Sequence, residues 1–190
     1  MADINLRPPT GSAARTQEDV AAEAGGPPGD EALIELVELL FFAYRDFIGD
    51  PDVILNEIGF GRAHHRVLHF VTRNPGLRVT DLLDLLKITK QSLGRVLKQL
   101  VEEGYIEQIE GHTDRRQRLL HPTARGRALA GRLAEPQIRR FSDALADLDA
   151  EEAAVARQFL MSLVNEAERG RVARLVGGAR NGGAAKGERP

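Results

Sequence analysis

The sequence predicts a mainly α-helical protein built on a winged helix-turn-helix: three helices and a β-hairpin wing, flanked by N- and C-terminal helices. Three observations point there. Leu, Ala, Glu and Arg dominate, β-branched residues are sparse, and aromatics make up only 5% with no Trp, a helix-forming composition. Two helical patterns, after Thr80 and from about Lys90 to Glu103, are separated only by Lys87-Ile88-Thr89. Directly after them the periodicity changes to that of two short strands.

Residues 1–29 are rich in Ala, Gly, Pro and Thr and show no helical or strand period, so they read as a disordered arm. A first helix begins at Asp30, with Leu33, Leu36, Val37, Leu40, Phe41, Tyr44 and Ile48 spaced three and four apart. Gly49-Asp50-Pro51 is expected to end it, because proline cannot continue the hydrogen-bond ladder. With its linker, this element fills residues 30–57. A second helix runs from about Arg62 to Arg73, its inner side formed by Phe60, Ala63, Val67, Leu68 and Val71. Asn74-Pro75-Gly76 is a turn.

The short third helix carries Leu82, Leu83, Leu85 and Leu86. The fourth takes Thr89 as its N-cap, turns Leu93, Val96, Leu97, Leu100 and Val101 inward, and ends at Gly104, a left-handed C-terminal residue. Tyr105–Ile109 and Gln117–His121 read as strands joined by the polar connection 110–116, and Pro122 closes the second. Thr123 caps a long helix to about Leu145, kinked at Pro136. Asp149 and Glu152 form an acidic capping box for a last helix to about Arg169. These two helices occupy 123–170, and 171–190 reads as a second disordered segment.

Cysteine is absent, which removes disulfides, thiolate metal sites and thiol redox switches from consideration. No apolar run approaches the ~20 residues that span a bilayer, and Met1–Asn5 lacks the basic start of a signal peptide, so a cytosolic protein without membrane association is expected. There is no phosphate-binding glycine loop, no His-Glu-x-x-His, no Gly-x-Ser-x-Gly and no cluster of carboxylates with a nucleophile, so no enzyme and no cofactor is expected. Net charge is −2. Between Phe60 and Pro122, however, 11 Lys and Arg meet 7 Asp and Glu, and all five histidines lie in that stretch. Phosphate responds to such a local excess, not to the global sum.

Residues 58–122 therefore form a reading unit for double-stranded DNA. The outer face of the fourth helix carries Lys90, Gln91, Ser92, Gly94, Arg95, Lys98 and Gln99, with no acid before Glu102. Gln and Arg match adenine and guanine edges bidentately, and a recognition helix makes base contacts mainly through its N-terminal part. Gly94 removes bulk where the helix nears the groove. The wing holds Asp114, Arg115 and Arg116. An arginine at such a tip suits the narrow, electronegative minor groove, while Asp114 needs the other arginine as a partner.

The run from Ile58 to Leu133 resembles the MarR family. The wing Asp-x-Arg is Asp114 and Arg116, the following Thr123-Ala124-Arg125-Gly126 is similar to that family's threonine-to-glycine helix start, and Val79–Leu83 and Leu93–Glu107 also fit. His121-Pro122 departs from the apolar residue usual before that threonine. The resemblance implies that Arg115 enters the minor groove and Arg116 pairs with Asp114. It also implies a two-fold homodimer, most often a repressor, formed by the first and last helices. Those helices carry apolar stripes beyond what one small domain buries, including Leu129, Leu133, Ile138, Phe141, Leu145, Leu148, Phe159, Leu160 and Leu163. A dimer sets two recognition helices roughly 34 Å apart and asks for a nearly palindromic operator. The resemblance further implies a small aromatic effector in a cleft, for which Tyr44, Arg45 and His65 are candidates. An architectural binder of the same fold with little sequence preference is the competing reading. His65 and His69 are four apart on one helix, but no third ligand accompanies them, and no metal site is expected.

Overall fold

The computed structural model describes residues 28–111 and 117–181, without the side chains of 178–181. In chain order the elements are α1 (Asp30–Glu57), α2 (Arg62–Arg73), β1 (Leu77–Arg78), α3 (Val79–Leu86), α4 (Lys90–Glu102), β2 (Ile106–Glu110), β3 (Arg118–Pro122), α5 (Ala124–Ala144), α6 (Ala150–Ser162) and α7 (Glu166–Asn181). This is the mainly helical winged-helix architecture the sequence predicts. The arm 1–27, the wing residues Asp114, Arg115 and Arg116, and residues 182–190 lie outside the described residues.

The chain divides into two units between Ala43 and Tyr44. In the first, Asp30 and Glu31 occupy the opening turn of α1, where negative charge complements the helix dipole. Leu33, Leu36, Val37, Leu40 and Phe41 are all exposed, as are Ile34, Leu39 and Phe42 between them. Glu31, Glu35 and Glu38, spaced four and three apart, leave one acidic stripe on this otherwise apolar half of α1.

The second unit opens on the remainder of α1. Gly49-Asp50-Pro51 does not stop α1, which continues to Glu57 with Pro51 inside it and buried. Proline leaves the carbonyl four residues earlier, that of Phe47, without its helical donor. Gln137 Nε2 from α5 supplies the missing bond at 3.1 Å. Arg140 holds the neighbouring Asp50 through Nε at 2.8 Å and Nη2 at 2.9 Å, and Arg62 grips Asp52. Tertiary partners thus repair what the local sequence breaks.

The core gathers Leu55, Phe60, Val67, Leu68 and Val71 with Leu82 and Leu86 of α3, the inner stripe of α4, Ile106, Leu120, Leu129 and Leu133. Thr89 caps α4 by accepting from Ser92 N, and Gly104 is left-handed at φ +73°. The sheet is antiparallel in the order β1-β3-β2. Leu77 pairs with Leu120, and Gln108 pairs with the same residue from the other side. Strand β1 was not anticipated: two residues carry no period, and only pairing with β3 makes them a strand.

Thr123 caps α5, and Asp149 caps α6 in a capping box with Glu152. Pro136 lies inside α5, which runs through it. The final helix expected to Arg169 is instead two helices. Arg169 Nη2 donates to Ser162 O at 2.7 Å and its Nε to Val164 O at 2.9 Å, satisfying carbonyls that the end of α6 leaves open. Glu168 N bonds Asn165 O as the new helix starts. Helix α7 then continues to Asn181, so residues 171–181 are helical where a disordered tail was expected. Among the described residues no helix is long and apolar enough to cross a membrane.

Candidate nucleic-acid interface

Helix α4 is held from below and open above. Leu93, Val96, Leu97 and Leu100 are buried, while Lys90, Gln91, Gly94, Arg95 and Lys98 are exposed on the opposite face. Neither Gln91 nor Arg95 is hydrogen-bonded or ion-paired through its side chain to another described residue, so both present donors outward. Lys98 Nζ lies 3.7 Å from Glu102, a solvent-exposed pair of little energetic weight. Ser92 is half-buried and belongs to the cap: its N–H donates to Thr89 Oγ1 at 3.1 Å, and its Oγ accepts from Thr89 Oγ1 at 2.9 Å.

Gln99 departs from the expected outward set. It is half-buried and tied into the protein. Gly61 N donates to His64 Nδ1 at 3.1 Å, which leaves the imidazole proton on Nε2. His64 Nε2 then donates to Gln99 Oε1 at 2.9 Å, and Gln99 Nε2 donates to Glu103 Oε1 at 2.9 Å. Phe60 stacks on His64 with centroids 4.6 Å apart. Helical periodicity puts Gln99 at the edge of the polar face, and only the approach of α2 turns it inward. We expect Gln99→Ala to leave sequence preference unchanged while costing about 1 kcal/mol of stability. Arg95→Ala should instead relax preference at one base pair by ~1–3 kcal/mol. Binding to a panel of singly substituted duplexes separates the two.

Sequence reasoning also missed the seam where α4 meets α5. Arg125 Nη1 donates to Glu103 O at 2.8 Å, and its Nη2 donates to Tyr105 Oη at 3.0 Å. The guanidinium carbon sits 4.3 Å over the Tyr105 ring. Arg125 thus neutralises the carbonyl end of α4. Its place in the Thr-Ala-Arg-Gly run was the available signal. In the wing, Arg118 Nη1 pairs with Glu110 Oε1 at 2.8 Å, directly across the two strands.

Behind the reading unit lies a cavity of about 660 Å³. Phe47, Phe70, Ile138 and Phe141 give it an apolar lining, while Arg73 and Arg127 add positive charge. Phe47 and Phe141 meet edge-on at 5.9 Å. Tyr44, Arg45 and His65, the candidate cleft residues, are not among those lining it. Tyr44 is exposed, Arg45 Nε bonds Asp46 Oδ1 at 2.7 Å, and His65 lies one turn from His69, which does line the cavity. No group of three or more His, Asp or Glu among the described residues is placed to hold a metal ion.

Burial holds both His65 and His69 below the ordinary histidine pKa of 6.5. A neighbouring His69 adds to the effect at His65, and Arg73 adds to it at His69. As pH falls through 6.5 the unfolded chain takes up protons that the folded one refuses, so stability present above that pH is progressively lost below it. Asp50 and Asp81 are held low by Arg140 and Arg78, and their contribution disappears only below the usual carboxylate range. The thermal midpoint should therefore drop between pH 7.5 and 5.5, and His69→Gln should flatten that drop.

The MarR family model matches residues 58–117, from just before α2 through β2. The HTH-type transcriptional regulator PetP of Rhodobacter capsulatus is 43% identical over 155 residues, covering 78% of this chain and 93% of that protein. A crystal structure of MarR aligns with a TM-score of 0.56 at 25% identity, over 77% of this chain and 98% of the other. Streptococcus pneumoniae FabT, solved in complex with DNA, aligns with a TM-score of 0.56 at 19% identity, over 69% of this chain and 94% of that one. With the outward-facing donors of α4 seated in this architecture, the chain belongs to the MarR family, and it is a DNA-binding transcriptional regulator, not an enzyme.

Proposed function

We propose that the protein acts as a homodimeric repressor at a pseudo-palindromic operator, with α4 in the major groove and Arg115 of the wing in the adjoining minor groove. The observation that carries this reading is the recognition face: Lys90, Gln91, Arg95 and Lys98 stand exposed over a fully apolar inner stripe. Gln91 and Arg95 read base edges, Lys90 and Lys98 meet phosphates, and Ser92 fixes the helix start. Arg115 is the wing residue assigned to the minor groove, as the family resemblance implies. The exposed apolar residues from Leu33 to Phe42 support a dimer, and so do Val155, Phe159, Leu160 and Leu163. Continuous apolar surface of this kind is rarely left to solvent, and a second copy of the chain is the occupant that two-fold operator symmetry requires.

The cavity supports a small aromatic anion as effector. Its walls are aromatic, Arg73 and Arg127 supply charge, and the buried hydroxyl of Thr72, also in the wall, has no hydrogen-bond partner among the described residues. His69 takes the role proposed from sequence for His65, with Tyr44 and Arg45 outside the cavity.

Selection from random DNA with purified protein tests the reading. An enriched inverted repeat with half-sites about one helical turn apart is expected, bound by a dimer in sedimentation. Affinity should fall steeply with salt as counterions are released, and Arg115→Ala should cost about 1 kcal/mol. Binding with no enriched repeat would instead mark an architectural protein.

A further inference from the structure

Helix α7 was not anticipated from sequence, and its contacts converge on one place. Helix α3 is the first helix of the helix-turn-helix, and its last turn leaves carbonyls without intrahelical donors. Lys87 N takes that of Leu83 at 3.0 Å. Arg66 Nη2, from α2, takes that of Leu86 at 3.3 Å. The carbonyl of Asp84 is taken from α7: Arg171 Nη1 donates to it at 3.1 Å, and Arg171 Nη2 donates to Asp81 O, one turn earlier, also at 3.1 Å. A cation here also faces the negative end of the α3 dipole.

A second contact lies one turn back on α7. Glu168 reaches Lys87 Nζ at 3.1 Å and Arg171 Nη1 at 3.7 Å. Lys87 is the left-handed residue, φ 52°, that ends α3 and opens the three-residue turn into α4. One turn forward, Leu175 lies in a cleft with Leu77, Asp81, Asp84 and Leu85, and it also lines the large cavity next to Val176. Residues 168, 171 and 175 share one helical face by their spacing.

We propose that α7 is a strap that positions the recognition helix, with Arg171 and Glu168 as positioning residues that fix the end of α3 and the turn, and with Leu175 joining that clamp to the cavity wall. The clamp sets where α4 begins relative to the core, so it holds the reading face in register before DNA arrives. The planar guanidinium spans two carbonyls one turn apart, which a lysine ammonium does not reproduce. This inference rests on DNA recognition through α4, as proposed above.

The test compares full-length wild type with Arg171→Ala, Arg171→Lys and Leu175→Ala by hydrogen exchange of the amides between Leu83 and Leu93, by thermal unfolding, and by affinity for the duplex selected from random DNA. Arg171→Ala and Arg171→Lys should each raise exchange there and weaken DNA binding by about tenfold, with the thermal midpoint little changed. Leu175→Ala, which touches neither carbonyl, should raise exchange at the same amides. A lowered midpoint with affinity unchanged would reduce Arg171 to a stabilising contact and overturn the proposal, as would full rescue by lysine. Unchanged exchange in Leu175→Ala would overturn the link to the cavity. Should wild type select no DNA sequence, the operator reading fails, while the exchange data still judge the strap.

Discussion

Leu100→Ala is expected to destabilise the protein by about 4 kcal/mol, the upper part of the range for a leucine truncated at a site that cannot collapse. Leu100 is fully buried on the inner face of α4, and its carbonyl accepts from Tyr105 N at 2.8 Å, so the backbone there is pinned from both sides. The void would open beneath α4 itself. In urea the midpoint should fall with little change in slope, and the thermal midpoint should fall by roughly 10 °C, both at fixed protein concentration because association contributes to stability. A loss below 1 kcal/mol would mean that α4 is not seated as described.

Gly126→Ala is expected to destabilise by about 3 kcal/mol, although helix propensity alone argues the opposite sign. Alanine is favoured over glycine by up to about 1 kcal/mol inside a helix. At position 126, however, an added Cβ would fall inside the van der Waals shell of the Tyr105 carbonyl oxygen, with Leu68 Cδ1 also in contact at 3.5 Å. The approach is this close because Thr123 knits α5 to the start of the sheet. Its N–H donates to Tyr105 O at 3.1 Å and its hydroxyl donates to Gly104 O at 2.7 Å, while the same oxygen accepts from Gly126 N at 3.0 Å. A carbonyl in this network cannot yield as a flexible side chain does. Gly131→Ala is the control: nothing lies within 4 Å of its Cβ position, so the propensity gain should appear there as a small rise in stability.

The opposite signs expected at Gly126 and Gly131 mark the reach of sequence reasoning. The Thr-to-Gly motif identifies position 126, but only the packing of α5 on Tyr105 explains why it must be glycine. The inner stripe of α4, its Thr89 cap, the left-handed Gly104 and the Asp149 capping box were all legible, because each is local: residues within one or two turns satisfy or break their own backbone bonds. The exposed polar face of α4 was legible for the same reason, with Gln99 as the exception at its edge.

What the sequence determined by itself is the order of elements, the inner and outer faces of α4, and through them the family and the DNA-binding class, since periodicity and capping are properties of neighbouring residues. What only the tertiary structure decided are the passage of α1 through Pro51, the strand at Leu77–Arg78, the inward turn of Gln99, the cavity that His69 lines, and the contacts of α7 with the end of α3. In four of these the deciding partner lies far along the chain: Gln137 for the Phe47 carbonyl, β3 for β1, His64 for Gln99, Arg171 for the end of α3. A donor ninety residues away leaves no period in the local sequence, yet it satisfies a backbone carbonyl as well as a neighbour would.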